Sequence, residues 1–289
     1  VSLDLVVNVT IAGVLTGLVY GLMALGLSVI FGVVRVVNFA HGEMMTIAMY
    51  AATVLFAAFG LDPFLCIPPV AAAFFVFGYA LQAGVINPFI TRPEHSQFML
   101  LVAVAIILVN AMLMIFGPSA RNVQLDYQLE SFEIGRILVD KARLYAAFAA
   151  VASAAGLFAF FRFTLTGKAI RACADNHLGA RVVGLNVKHL YALTFGLGSA
   201  CVAIAGCVMV LLVDVTPALG PSYTLLAFVI VIVGGLGSMG GALLGGVLIG
   251  VSEALAGLFI DPSAKSMFSF GLLILVLLFR PQGLLGKRS

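Results

Sequence analysis

Within RVVNFAHGEMMTIAMY, Arg35 to Tyr50, an arginine, an asparagine, a histidine and a glutamate fall within nine residues of an otherwise apolar chain. Ionisable groups inside a membrane segment are costly in lipid and usually face a bundle interior or a water-filled path. Asn38, His41, Glu43 and a second isolated carboxylate, Glu253, are therefore candidates to border or gate a substrate pathway, with a helix beginning near Phe39 adding its positive N-terminal dipole. The alternative is that the same groups hydrogen-bond neighbouring helices and set their packing. Catalysis is not expected. His41-Gly42-Glu43 lacks the H-E-x-x-H spacing that presents two histidines on one helix face, and the four histidines are widely separated, so no metal site is expected. Gly167-Lys168-Ala169 lacks both the glycine spacing and the hydroxyl of a phosphate-binding loop, and no serine has an evident general base.

The elements that must position these groups follow from composition. Of 289 residues, 63% are hydrophobic and 9% charged, with a mean hydropathy of +1.19, whereas soluble domains carry about 25% charged residues. A water-facing surface could not be covered, which excludes a soluble core and predicts an integral membrane protein. The net charge of +3 then bears on orientation in a lipid bilayer and not on nucleic-acid binding. The first residues, VSLDLVV, have no basic flank and lead into an apolar run too long for a signal peptide, so a retained first helix is expected. Cys66, Cys173, Cys201 and Cys207 show no metal-binding spacing and read as small apolar residues.

Stretches free of Asp, Glu, Lys and Arg run over 5–34, 44–61, 63–91, 95–120, 144–161, 189–213, 215–252 and 266–279. The fold class is accordingly an all-α polytopic membrane protein with about eight transmembrane helices, one transmembrane domain over 1–289. The seventh run, 38 residues long, would make a helix of roughly 57 Å against a hydrocarbon core of about 30 Å. It must break, and GGLGSMGG, with Gly234, Gly235, Gly237 and Gly241, is where it does so. Two crossings or a re-entrant pair there bring the count to eight or nine. Small residues four apart at Gly13, Gly17 and Gly21, and again at Gly237, Gly241 and Gly245, offer smooth stripes for close helix packing.

Charge in the loops orients the spans. The 162–189 loop carries Arg162, Lys168, Arg171, Arg181 and Lys188 against Asp175, and the tail carries Arg280, Lys287 and Arg288, so both are expected in the cytoplasm. The connections near Asp62, Asp214 and Asp261 fall outside, the N-terminus is periplasmic, and Arg35 and Arg92 lie inside. The polar segment 117–143, with Arg121, Arg136, Lys141 and Arg143 balancing Asp126, Glu130, Glu133 and Asp140, reads as an external cap that either receives a partner or only joins two helices. In the cytoplasmic loop Ile170, Ala174, Leu178, Val182 and Leu185 recur at three to four residues, which predicts one amphipathic helix, resting on headgroups or touching a soluble partner.

Four segments in order, GLVYGLMALGLSVIFGVVRVVNFAHGEMM, GKAIRACADNHLGARVVGLNV, VIVGGLGSMGGALLGGVLIG and LFRPQGLLG, resemble the smaller, LivH-type permease of branched-chain amino-acid ABC importers, over nearly the whole chain. The resemblance implies the ABC importer permease fold and an inner-membrane subunit paired with a second related permease (LivM type), two cytoplasmic ABC ATPases and a periplasmic substrate-binding protein. ATP and Mg²⁺ would bind on the ATPases, with no cofactor on this chain. The loop helix would be the coupling helix, with Lys168, Arg171, Asp175, Asn176, Arg181 and Gly184 at the ATPase contact. Against the E-A-A-x3-G pattern of many such permeases, only Leu178-Gly179-Ala180 and Gly184 are present, and the glutamate is missing. The cargo implied is branched-chain amino acids, related systems carrying urea, short amides or aromatic acids. A self-contained secondary transporter or channel is the alternative, since a glycine-broken helix and an intramembrane glutamate suit that class too.

Overall fold

The computed structural model describes residues 2–135, 137–261 and 265–286, apart from the side chains of Glu94 and Ile134. Arg136, Lys287 and Arg288 of the charged segments lie outside the described residues. Among the described residues, seven helices are long and apolar enough to cross a membrane, and two shorter apolar helices accompany them.

The organising element is α1, Leu3–Val34, which at 1.5 Å per residue is about 48 Å long. It is apolar all round, and such a helix is buried on every side; Val19 and Leu22 to Ile30 are indeed almost wholly enclosed. It ends at Arg35, which alone among the described non-glycine residues has a positive φ, 57°. After the break come α2 (His41–Phe59), α3 (Pro63–Leu81, prolonged by a π-turn over Gln82–Ile86) and α4 (Glu94–Phe116). A polar cap leads to α5 (Lys141–Phe163), two short helices α6 (Leu165–Asp175) and α7 (His177–Val182), and then α8 (Val187–Met209). The 38-residue run divides into α9 (Leu219–Gly234) and α10 (Met239–Phe259), and α11 (Lys265–Phe279) completes the set.

Glycine spacing decides how α1 meets α10. A Cβ built on Gly17 would lie 2.7 Å from the Gly246 carbonyl oxygen and the Val247 Cα, and one on Gly13 would lie 2.9 Å from the Gly250 carbonyl oxygen. The two backbones therefore touch along the stripe, with Gly21 facing Leu243. Between α9 and α10, Gly234 rests directly on Gly241, and Gly235 and Gly237 take φ of 106° and 76°, a conformation closed to most side chains. Gly245 continues the contact against the Ile230 carbonyl. The tail then returns: the Leu284 and Leu285 N–H groups donate to the Val233 and Gly234 carbonyls at 2.9 Å each, filling the free carbonyls at the end of α9.

One end of the bundle gathers Asp62, Asp214 and the 117–143 cap. The all-α class holds, and the cap adds one short hairpin of β1 (Ser131–Ile134) and β2 (Ile137–Asp140). The cap is tied down by Tyr127 Oη donating to Asp62 at 2.8 Å, Gln128 to the Leu211 carbonyl at 3.0 Å, paired backbone bonds between Arg121 and Val215, and a Glu130–Lys141 ion pair. Burial and the neighbouring Asp62 carboxylate push the Tyr127 phenol above its usual range, so it stays a donor. The opposite end holds Arg35, His95, Lys168, Arg171 and Pro281 around one cavity.

Gly17→Leu forces α1 and α10 apart, an overpacking cost of about 1–3 kcal/mol, and is expected to lower the thermal midpoint of the detergent-purified protein by several degrees. Gly156→Ala, where an added Cβ meets nothing within 4 Å, is expected to leave it unchanged. Equal midpoints for both variants would contradict the packing described.

Candidate functional site

Between α1 and α2 the chain does not stay at the end of the bundle. The His41 ring donates through Nε2 to the carbonyl of Met23 at 2.9 Å, and Met23 lies eleven residues, roughly 16 Å, before the last residue of α1. Residues 35–40 thus run back alongside α1, and α2 starts deep in the protein. Charge counting places Arg35, which is exposed; residues 36–40 then carry the chain inward again.

A helix that starts in the interior must find partners for its first N–H groups inside the protein. Its N-cap residue is Ala40, which has no side chain to offer. Asn38 Oδ1 accepts the Ala40 N–H at 3.1 Å and turns the chain into the helix. The cap itself is supplied by α9: Thr224 Oγ1 accepts the Gly42 N–H at 2.9 Å and donates to Glu43 Oε2 at 2.8 Å. Glu43 occupies the third helical position, so one hydroxyl of α9 both accepts from the second N–H of α2 and holds the side chain of the third residue. Close approach makes it possible, because Gly42 rests directly on Gly220 and the first turn of α9. Two helix N-termini, each carrying partial positive charge, converge on the one carboxylate. Asn38, His41 and Thr46 are fully enclosed, and Glu43 is 3% exposed. With Nε2 donating, His41 Nδ1 is left as an acceptor, and it has no partner among the described residues.

The arrangement is therefore a buried polar knot, with no grouped metal ligands among the described residues. Toward the basic end it is closed by aromatic rings: Phe39 lies edge-on to Phe98 with centroids 4.6 Å apart and 5.1 Å from Phe228. Beyond Phe39 opens a cavity of about 1550 Å³ reaching Arg35, Lys168, Arg171 and Asp175. Asn38, His41 and Glu43 are thus brought together, and Glu253 is not among them. Glu253 lies on α10, half-buried, accepting from Ser269 of α11 at 2.7 Å with Tyr20 beside it. Sequence reasoning missed Thr224. Nothing marked it, because hydroxyls in apolar helices commonly bond the carbonyl four residues back, as Thr46, Thr194 and Ser199 do here.

The basic loop also differs from expectation. Asn176, at φ −149°, interrupts the predicted single helix and caps α7 by accepting the Gly179 N–H at 2.9 Å. The apolar register is lost at that step. Ile170 is buried, but Leu178 and Val182 are 63% and 86% exposed, and Val183 is 75% exposed. Lys168, Arg171, Asp175, Asn176 and Arg181 are also exposed. Gly184, at φ 85°, ends α7 by donating to the Arg181 carbonyl.

Residues 9–277 match the family described as branched-chain amino acid transport system / permease component. The chain belongs to that family. Among its relatives, this permease is 32% identical to the high-affinity branched-chain amino acid transport system permease protein BraD of Pseudomonas aeruginosa, over 95% of this chain and 94% of the relative. It is 30% identical to the high-affinity permease protein LivH of Escherichia coli K12 over the same shares. A probable branched-chain amino acid transport permease protein LivH of Methanocaldococcus jannaschii is 26% identical over 92% of this chain and 88% of its own length.

Thr224→Val removes the acceptor for Gly42 and the donor to Glu43, leaving two buried polar groups unpaired at about 1–3 kcal/mol each. The variant is expected to unfold at a markedly lower temperature, while Thr224→Ser, which keeps the hydroxyl, stays near the parent. A midpoint for Thr224→Val equal to that of Thr224→Ser would rule out the shared cap.

Proposed function

We propose that this permease is the transmembrane subunit of an ABC importer that brings branched-chain amino acids into the cytoplasm across a bacterial inner membrane. The observation that carries the reading is the match to branched-chain amino acid permeases over almost the whole chain. In this reading a second, related permease completes the passage, a periplasmic binding protein delivers the cargo, and two cytoplasmic ATPases bind ATP and Mg²⁺ and hydrolyse the nucleotide. This chain holds no cofactor and carries out no catalysis of its own.

The excess of lysine and arginine in 162–189 supports a cytoplasmic side for that loop and a periplasmic side for the N-terminus and the 117–143 cap. Leu178, Val182 and Val183 stand exposed among Lys168, Arg171 and Arg181, a mixed apolar and basic surface suited to a groove on a soluble ATPase. This surface is the coupling contact. The knot of Asn38, His41, Glu43 and Thr224, with Phe39 below it, is the gate: the Gly42–Thr224 and Thr224–Glu43 bonds exist only while α2 and α9 touch, so separating the two helices has a definite cost. Glu253 ties α10 to α11 through Ser269.

Native-complex purification is expected to recover two ATPases and a second permease, and proteoliposomes holding that assembly are expected to take up leucine only with ATP and the binding protein. Replacing 171–181 by a flexible linker is expected to abolish ATPase stimulation. Leucine accumulation by the purified chain alone, driven by an ion gradient, would overturn the reading in favour of a secondary transporter.

A further inference from the structure

What α9 contributes to the gate comes from one helix face. Thr224, which caps α2, Phe228, whose ring centroid lies 5.1 Å from that of Phe39, and Ile232, which lines the cavity beyond, follow one another at intervals of four residues. Between Thr224 and Gly234 the sequence LLAFVIVIV has neither glycine nor proline, so nothing there favours a sharp kink. Over those ten residues, roughly 15 Å, α9 is a single rod. The gate lies along it, and the cavity lies at its end.

That end is held by a distant part of the chain. The turn after α11 brings the N–H groups of Leu284 and Leu285 onto the Val233 and Gly234 carbonyls at 2.9 Å each. Backbone rests on backbone: a Cβ built on Gly283, at φ 77°, would lie 2.5 Å from the Gly235 Cα and 2.6 Å from the Ile232 carbonyl oxygen, and one on Gly235 would meet the Gly286 nitrogen. Arg280 closes the turn, its carbonyl accepting the Gly283 N–H at 2.9 Å and its guanidinium donating to the Leu284 carbonyl at 3.4 Å. The last carbonyls of a helix point along its axis, so residues 281–286 form a strap across the end of the rod. The other side of the strap is open. Pro281, Gln282 and Leu285 are exposed and line the cavity of about 1550 Å³, which α6 lines with Lys168, Arg171 and Ala172. A space of that size leaves room for α6 to approach.

We propose that the strap of residues 281–286 is a coupling element. When α6 is driven into the cavity it bears on the strap, which passes the load along α9 and displaces Thr224 and Phe228 from Gly42 and Phe39, opening the gate. The strap and α9 move as one body, and the separation between strap and α6 is what changes. This role rests on the transport reading of the chain.

The experiment uses the protein purified with its co-purifying subunits, reconstituted in lipid and, for labelling, in a background lacking the four native cysteines. Spin labels on Ala172→Cys and Gln282→Cys are expected to move closer when ATP and vanadate are added. Leu285 lies 3.9 Å from a Cβ built on Gly240, and joining Gly240→Cys to Leu285→Cys with a short bifunctional thiol reagent is expected to leave leucine uptake intact. Gly283→Val, which pushes the strap off Gly235, is expected to keep ATP hydrolysis but lower the leucine moved per ATP several-fold. Gly271→Ala, where an added Cβ meets nothing within 4 Å, is expected to change neither. An unchanged separation of the two labels, or uptake lost on joining 240 to 285, would overturn the strap. So would a Gly283→Val assembly in which uptake, hydrolysis and thermal midpoint fall together, the pattern of a merely structural contact. Wild-type uptake with ATP tells the two failures apart: uptake alongside any of those results removes the strap alone, and its absence removes the transport reading and the coupling role with it.

Discussion

A backbone amide at membrane depth has no water to turn to, and in this protein that requirement falls on the start of α2. Its N-cap residue is Ala40, its first turn lies level with Met23, and its Gly42 N–H is satisfied only because Thr224 arrives from α9. The same hydroxyl holds Glu43, so one atom joins two helices and secures a buried carboxylate. Both partners are necessary. Without Gly42 the helices could not come close enough for the bond, and without Glu43 the hydroxyl proton would have only the Phe39 carbonyl, at 3.3 Å.

Much of the remaining architecture serves to bring α9 to that place. The α9 helix, of 16 residues, is about 24 Å long and too short to cross a core of about 30 Å. Its far end is anchored instead by the Gly234–Gly241 contact to α10 and by the returning Leu284 and Leu285. The α10 helix in turn lies backbone to backbone against α1, whose carbonyl at Met23 holds His41. The chain of contacts thus closes on itself: α1 to α10, α10 to α9, α9 to α2, and α2 back to α1. The basic loop stands near this ring, because Lys168 and Arg171 share the cavity with Arg35 and with the tail at Pro281. A displacement of α6 therefore has a short route to the break in α1–α2.

Charge counting was enough to find the helices, because in a membrane protein the apolar run is itself the element and charged residues end it. It located the break at Gly234 to Gly241, where positive φ and close approach leave glycine little competition, and it singled out the Asn38–His41–Glu43 cluster. Depth was not legible. Arg35 marks an exposed turn, and nothing in the residues after it states that the chain climbs back beside α1. Nor was Thr224, one hydroxyl in an apolar run, because its role depends on a contact 181 residues away in sequence. The amphipathic period over Ile170 to Leu185 misled for a local reason: Asn176 prefers to cap α7 with its own side chain over continuing α6, and the exposed Leu178 and Val182 then serve a surface, not the core.

The central claim is that residues 35–40 form an interior break lined on one side by an aqueous cavity and on the other by packed helices. Single cysteines at positions 36–40, in a background lacking the four native cysteines, treated with a membrane-impermeant thiol reagent, test it most directly. The account predicts an alternating pattern: Val37→Cys and Phe39→Cys, on the cavity side, react, while Asn38→Cys and Ala40→Cys, in the packed interior, stay silent. Uniform reaction at all these positions, at the rate of an exposed loop cysteine such as Asn186→Cys, would place the stretch at the membrane surface and contradict it.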